Sequence, residues 1–150
     1  MKIKSIRECP ARIGEAANWF HEKWKVPVSA YTESMEAALC AEKGVPNWYM
    51  IEDGEGNVVA GIGIIENDFH KRPDLTPNLC ALYVEEPYRK KGLARALLDR
   101  ACSDLAKCGV KDAYLITGHT SLYERYGFDF FGMVEEDDGN MIRMYRKKTE

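Results

Sequence analysis

A buried strand, a long amphipathic helix and a second strand follow one another in the second half of the chain. Leu79–Val84 is a continuous apolar run of strand length, and Ala113–Thr117 is a second strand-like segment. Between them, Lys90–Lys107 carries apolar residues at three- and four-residue spacing, and Gly109 stands where a helix commonly ends. Because strands joined by a crossover helix pair in parallel, this segment predicts a parallel strand pair within an α/β layer.

The other strands are joined by turns, which predicts antiparallel pairing. The turn residues Asp53–Asn57 separate two apolar runs and are typical of a hairpin. The predicted strands are Lys2–Arg7, Trp48–Glu52, Val58–Ile65, Leu79–Val84, Ala113–Thr117, Asp129–Val134 and Met141–Lys147, and the predicted helices are Ala11–Trp24, Ser34–Glu42, Lys90–Lys107 and Thr120–Tyr126. We expect an α/β (α+β) fold with a mixed, mostly antiparallel sheet of about seven strands and helices on both faces, in one domain over residues 1–150.

The composition excludes several classes of protein. The 150 residues include 21 basic and 24 acidic side chains, and this net charge of −3 argues against a nucleic-acid-binding protein. The longest apolar run, Val58–Ile65, is too short to cross a bilayer, and the charged segment Met1–Glu8 does not resemble a secretory signal. Five cysteines without a Cys-x-x-Cys pair indicate reduced thiols, no metal site and a cytoplasmic protein.

The strongest site signal is a basic segment containing a glycine, Arg89–Ala94, between a strand and the start of the long helix. The first turn of a helix leaves backbone N–H groups unpaired and carries a partial positive charge, so it binds phosphate groups readily. A solvated basic helix start is the alternative interpretation. P-loop, dinucleotide, zinc-protease and nucleophile-elbow motifs are missing, and Gly61 and Gly63 are more typical of close packing or a strand bend.

Two segments resemble the GNAT superfamily of acyl-CoA-dependent N-acyltransferases. Arg89, Gly92 and Ala94 match the family signature [Gln/Arg]-x-x-Gly-x-[Gly/Ala], and Leu122–Phe128 is similar to the family's Phe/Leu-Tyr-x-x-x-Gly-Phe element. Both segments occur in the family's order and separation, and the predicted element order agrees with the GNAT fold over nearly the whole chain. The resemblance implies that acetyl-CoA is the cosubstrate and that no metal is needed.

The resemblance also implies roles for particular residues. The strand residues implied to hold the pantetheine arm are Leu82, Tyr83 and Val84, and the Val84 N–H is the candidate oxyanion donor. The residues implied to hold the CoA pyrophosphate are Arg89, Lys90, Lys91, Gly92, Leu93 and Ala94. Tyr123 is the candidate acid that protonates the departing thiolate. Many members place an Asn seven residues before this Tyr, where this chain has Ile116.

The loop after the apolar strand supplies candidates for the acceptor side. Glu66, Asn67, Asp68 and His70 lie within five positions at the end of that strand. Such a group binds a cationic amine, with Asn67 and Asp68 as contacts, and relays its proton through Glu66 or His70. A polar surface loop whose Asn and Asp side chains cap turns is the alternative.

Two further residues are candidates from other parts of the chain. His119 lies four residues before Tyr123 and would approach it if a helix begins by Thr120, as a proton acceptor or ligand contact. A histidine that only caps a short helix is the alternative. Trp19 is the candidate wall of an acceptor pocket, and core packing is the alternative for it.

These features together predict an acetyl-CoA-dependent N-acetyltransferase that acts directly, through a ternary complex, on an amine of a small molecule or peptide. One alternative is a catalytically silent CoA-binding sensor or interaction module. Another is a peptide N-terminal or lysyl acetyltransferase. No nucleic-acid or membrane partner is expected, and a homodimer is consistent with the family although no residue here identifies an interface.

Overall fold

The computed structural model describes Lys2–Glu150, and Met1 lies outside the described residues. Within that range the helices are α1 (Ile13–Trp24), α2 (Val28–Ala41) and α3 (Leu93–Lys107). The strands there are β1 (Ile3–Ser5), β2 (Asn47–Glu52), β3 (Val58–Ile65), β4 (Asn78–Val84), β5 (Asp112–Thr117), β6 (Asp129–Glu135) and β7 (Met141–Lys148). Short 3₁₀ turns form at Ile6–Glu8, Pro10–Arg12, Glu86–Tyr88 and Tyr123–Tyr126.

The described strands form one seven-stranded sheet in the order β1-β2-β3-β4-β5-β7-β6. Strands β4 and β5 are parallel, with Asn78 opposite Tyr114, as the crossover helix predicts. Antiparallel pairs join β1 to β2, β5 to β7 and β6 to β7. The predicted mixed, mostly antiparallel α/β fold is therefore confirmed.

Several predicted boundaries are wrong, each for a local reason. The opening strand ends at Ser5 because Ile6–Glu8 forms a 3₁₀ turn, and α1 begins at Ile13 because Pro10–Arg12 forms another. Helix α2 begins at Val28 because Pro27, with its fixed φ and a ψ near 141°, takes the N-cap position directly before it. Helix α3 begins at Leu93 because the segment before it contains two residues with positive φ, Lys90 and Gly92. The predicted helix Thr120–Tyr126 is only a 3₁₀ turn from Tyr123.

The chain divides into two compact units. One comprises the chain up to Gly63 together with Ala81–Leu97, and the other comprises Ile64–Cys80 together with Leu98–Glu150. In the first unit, a Cβ on Gly61 would lie 2.6 Å from Phe20 Cζ, and one on Gly63 would lie 2.4 Å from the Trp48 ring. The glycines of β3 therefore let α1 and an aromatic cluster pack directly on the strand, as the close-packing interpretation predicts.

The second unit has its own apolar core. Leu75, Val134 and Met144 are buried together, and Ile116 packs against them. Ile116, which replaces the Asn common in the resembling family, thus contributes to packing. At the end of α3, Gly109 has a φ of +81° and donates its N–H to Ala106 O at 3.0 Å, so it is the predicted helix-ending glycine.

Candidate active site

Strand β4 changes character halfway along its length. Asn78, Leu79 and Cys80 are buried, whereas the four residues from Ala81 to Val84 are only half-buried. Ala81 has a φ of +56°, a left-handed conformation that is rare for a residue with a side chain. The main chain of Ala81–Val84, which includes the residues that the resemblance assigns to the pantetheine arm, is therefore kinked and more open than the first half of the strand.

The segment after β4 forms a turn with its backbone exposed. Lys90 and Gly92 have φ values of +63° and +80°, and Gly92 O accepts the first helical hydrogen bond of α3 from Ala96 N at 3.0 Å. Successive N–H groups in a turn with left-handed residues make an anion-binding concavity, and a helix start adds partial positive charge. Nothing lies within 4 Å of where a Gly92 Cβ would be. These residues fit a pyrophosphate that approaches the backbone.

Basic side chains surround this turn. Arg89, Lys90 and Lys91 are exposed. Arg89 Nε donates to Val84 O at 2.9 Å, and the Arg89 guanidinium lies 5.4 Å from the centre of the Tyr83 ring. Arg89 therefore links the end of β4 to the turn, and the Lys91 ammonium lies 5.7 Å from the centre of the Tyr88 ring.

Tyr123 lies in an aromatic environment on its 3₁₀ turn. Its ring centre is 6.2 Å from that of Tyr126, 5.9 Å from that of Phe128 and 6.3 Å from that of Tyr145. Burial raises the pKa of Tyr123 to about 12, and Tyr126 adds to the increase. The hydroxyl therefore holds its proton throughout the neutral pH range.

His70 is buried at 2% exposure, and both of its ring nitrogens are occupied. Nδ1 accepts the Arg72 N–H at 3.2 Å, so the ring proton lies on Nε2, which donates to Asn78 Oδ1 at 2.7 Å. Asn78 Nδ2 in turn donates to Glu66 O and Leu75 O. This geometry leaves no nitrogen to accept a proton from an amine, so we revise the role of His70 from proton relay to loop anchor.

Asn67 has a similar structural role. Its Oδ1 accepts the His70 N–H and its Nδ2 donates to His70 O, both at 2.9 Å. The side chain therefore closes the loop on itself, which fits the alternative of a side chain that caps a turn. Main-chain bonds from Lys71 N to Glu135 O and from Asp137 N to Phe69 O fasten the same loop to the β6–β7 hairpin.

Asp68 is the exception in this loop because its half-buried carboxyl has no hydrogen-bond or ion-pair partner among residues 2–150. No lysine or arginine forms an ion pair with it among residues 2–150, and its carboxylate accepts no hydrogen bond there. Burial raises the pKa of Asp68 to about 6, a value that includes an opposing effect of His70 and a smaller increase from nearby Glu136. The structure thus distinguishes Asp68 from Glu66, which is exposed.

The remaining acceptor-side candidates lie elsewhere. His119 is exposed, and because the turn begins at Tyr123 rather than Thr120, the premise that places it beside Tyr123 on one helix is wrong. Trp19 is 7% exposed, with its ring centre 5.0 Å from that of Phe20 and 5.9 Å from that of Tyr83. It packs in the core, which fits the alternative interpretation given for it.

Three site features could not be found from the sequence. Phe69 is exposed with a φ of +62°, Ala81 kinks a strand whose apolar pattern is uninterrupted, and the half-buried Asp68 has a raised pKa. None of these follows from residue type or spacing, because each depends on tertiary packing. Asp68 was recognisable as part of a polar loop, but not as the carboxyl in that loop with a raised pKa.

The described residues contain neither a metal-binding cluster nor a membrane-spanning helix. Within residues 2–150, no group of three or more His, Cys, Asp or Glu side chains is arranged to hold a metal ion. In the same part of the chain, no helix has both the length and the apolar character needed to span a membrane.

Solved structures with the same fold are acetyltransferases. An aminoglycoside 6′-N-acetyltransferase complexed with coenzyme A has a TM-score of 0.73 and 18% identity, over 100% of this chain and 98% of that chain. A Salmonella typhimurium protein with its cofactor acetyl-CoA has a TM-score of 0.71 and 14% identity, over 100% and 95%. A variant of the Vibrio cholerae spermidine N-acetyltransferase has a TM-score of 0.69 and 14% identity, over 99% and 95%. At these identities the likeness establishes the fold.

A family model assigns this chain to the acetyl-CoA-dependent acetyltransferases. The model of the Acetyltransferase (GNAT) family matches residues 14–128, and the chain belongs to this family. A comparison with curated proteins gives no significant match. The predictions of the family, of the enzyme class and of acetyl-CoA as cosubstrate are confirmed.

Proposed function

We propose that this enzyme transfers the acetyl group of acetyl-CoA directly to an amine of a small cationic molecule, with Asp68 as the proton acceptor and Tyr123 as the proton donor. The observation that carries the proposal is the half-buried Asp68 carboxyl, which lacks a cationic partner among residues 2–150 and whose pKa burial raises to about 6. A carboxylate in this state attracts an ammonium group and accepts a proton near neutral pH. Glu66, His70 and His119 are set aside as bases on the geometry above.

The cofactor side of the proposal uses the predicted residues. Acetyl-CoA, when bound, supplies an activated thioester carbonyl. The exposed turn Arg89–Ala94 holds the pyrophosphate with main-chain N–H groups, and the half-buried main chain of Leu82–Val84 holds the pantetheine arm. The Val84 N–H stabilises the negative charge that develops on the carbonyl oxygen.

Proton movement is divided between two groups. The cationic amine releases one proton to solvent and becomes a nucleophile, and Asp68 accepts the second proton of the nitrogen as the C–N bond forms. The C–S bond breaks, and the thiolate receives the proton of the Tyr123 hydroxyl. Asp68 then releases its proton to solvent, and the Tyr123 phenolate takes up a proton from solvent, which restores both groups. Because a thiolate is a good leaving group, with a parent pKa of about 8.5, the contribution of Tyr123 is modest.

Direct transfer is favoured over a covalent acetyl-enzyme. Cys80 is the cysteine of β4, and it is buried. Burial and the neighbouring Asp68 raise the pKa of its thiol well above the ordinary value, so it carries little thiolate. Cys80 is therefore a packing residue and not a nucleophile.

The acidic side chains near Asp68 indicate the chemical class of the acceptor amine. Glu136 lies close enough to Asp68 to raise the pKa of that carboxyl, and Glu135–Asp138 adds further acidic side chains. Spermidine and aminoglycosides, named for two of the structures with this fold, each carry several amines. A small di- or polyamine fits such surroundings better than a neutral amine.

One assay distinguishes the proposed function from a silent CoA-binding module and from a peptide acetyltransferase. Release of the CoA thiol from acetyl-CoA is measured against diamines, polyamines, aminoglycosides, amino acids and peptides. We expect amine-dependent release, with kcat/KM highest for small polycations. Thermal stabilisation by CoA without thiol release from any amine would establish the silent module, and preference for peptides would establish the peptide enzyme.

Tyr123→Phe is expected to lower kcat about tenfold or more and to leave the KM for acetyl-CoA nearly unchanged, because it removes only the donated proton. Tyr126→Phe, on the same 3₁₀ turn, is the matched control and is expected to keep kcat within about twofold of wild type. Steady-state kinetics with a saturating amine measures both. A wild-type kcat for Tyr123→Phe would remove Tyr123 as the donor.

The location of the protein and its organisation as one catalytic domain are proposals as well. All five cysteines are free in the structure, and this fits the expected cytoplasmic location. We retain the expectation that the chain acts as one catalytic domain. No interface for a homodimer is assigned.

A further inference from the structure

We propose that Trp24 is a positioning residue for acetyl transfer, because its indole N–H holds the kinked main chain of β4 in place. The catalytic importance of that strand rests on the proposed function above. The hydrogen bond itself is a feature of the structure: Trp24 Nε1 donates to Ala81 O at 3.1 Å.

The kink at Ala81 is an unusual backbone conformation. Ala81 has a φ of +56° in the middle of β4, where a residue with a Cβ strongly prefers a negative φ. Only glycine adopts such a conformation without penalty. A backbone outlier of this kind persists when its surroundings hold it, and such outliers concentrate at functional sites.

Trp24 stabilises the conformation of Ala81 from outside the strand. It is the last residue of α1, and the next residue, Lys25, ends the helix in a left-handed conformation with its N–H donated to His21 O. The Trp24 ring lies edge-on to Tyr83, with centres 6.3 Å apart and planes at 89°. Trp24 is 46% exposed, so filling the core does not account for its position.

The consequence concerns the residues after the kink. The direction of each peptide group from Leu82 to Val84 depends on the φ of Ala81, since a strand propagates its orientation along the chain. If the indole N–H is lost, Ala81 can relax toward an ordinary strand conformation. The N–H groups of this segment then point away from where the thioester carbonyl binds, which lowers kcat more than stability.

The test compares variants that remove one indole hydrogen bond each. Trp24→Phe keeps an aromatic ring and loses the N–H; it is expected to lower kcat about three- to tenfold with an almost unchanged Tm. Ser34→Ala is the matched control, because Ser34 Oγ accepts the indole N–H of Trp48 at 2.8 Å, and its kcat should equal that of wild type.

A second substitution separates positioning from a structural role. Ala81→Gly removes the penalty for positive φ, so it should restore most of the lost kcat in the Trp24→Phe background. Wild-type kcat in Trp24→Phe would overturn the proposal. A loss of kcat that Ala81→Gly does not restore would also overturn it.

The affinity for CoA makes this test independent of the proposed function. If wild-type protein releases no thiol with any amine, the proposed function fails, and CoA binding by calorimetry becomes the readout. Trp24→Phe should then weaken CoA binding about threefold or more, with recovery in the Ala81→Gly background. Unchanged affinity in Trp24→Phe would contradict the positioning role.

Discussion

At pH 7.5, the Asp68→Asn variant is expected to be more stable than wild type and at least about 100-fold less active in kcat/KM. The loss of activity follows because an amide cannot accept the proton of the attacking amine, and general bases commonly contribute factors of this size. The gain in stability follows because the variant does not bury a charge. Chemical denaturation and initial rates on the same preparations measure the two effects.

The sign of the pH dependence comes from the raised pKa. Folding raises the pKa of Asp68 from 3.8 to about 6, so the folded state binds more protons than the unfolded state between these values. This group therefore lowers wild-type stability as pH rises through that window. The stabilisation in Asp68→Asn should be absent near pH 4 and reach at most about 3 kcal/mol above pH 6. Wild-type kcat/KM should rise through a pKa near 6.

Glu66→Gln is the control for both effects. Glu66 is in the same loop but exposed, so its removal should leave the stability and the pH profile close to wild type. If Asp68→Asn kept wild-type activity, Asp68 would not be the proton acceptor. The same conclusion would follow if Glu66→Gln removed the rise of kcat/KM near pH 6.

Gly92→Val is expected to weaken CoA binding by about tenfold or more. The valine side chain would enter the open space above the turn, where the pyrophosphate approaches, and a β-branched residue disfavours the φ of +80° that orients the N–H groups. Calorimetric titration with CoA measures the change.

Gly109→Val isolates the binding effect from backbone strain. Gly109 follows the other end of α3 with a φ of +81°, and nothing lies within 4 Å of the position that its Cβ would take. Both variants therefore carry similar strain, and their loss of unfolding free energy should be similar. CoA affinity should fall only in Gly92→Val; equal affinities in the two variants would show that the turn does not hold the pyrophosphate.

The fold was largely predictable because its signals are local. The apolar runs of β3 and β4 and the stripe of α3 follow from spacing, and Gly109 marks a helix end by residue type. The start of α2 and the extent of the turn at Tyr123 were not predictable, since a weakly amphipathic helix and a short 3₁₀ turn have little sequence pattern.

The cofactor side of the candidate site was predictable from the sequence, whereas the acceptor side was not. The cofactor segment is contiguous and basic, so Arg89 and Gly92 stand out in the sequence. On the acceptor side, His70 and Asp68 are two residues apart and equally plausible by type. Only their hydrogen bonds and burial separate them, because the packing of the loop occupies both nitrogens of His70 and leaves the Asp68 carboxyl without a partner.

Transfer of an isotopically labelled acetyl group, measured with acetyl-CoA and a diamine both varied, tests the proposed reaction itself. We predict one labelled N-acetyl product and one CoA thiol per turnover, with initial rates that give intersecting double-reciprocal lines for a ternary complex. Direct transfer would be contradicted if CoA stabilised the protein but no labelled amine formed, or if parallel lines and a labelled protein showed a covalent acetyl-enzyme.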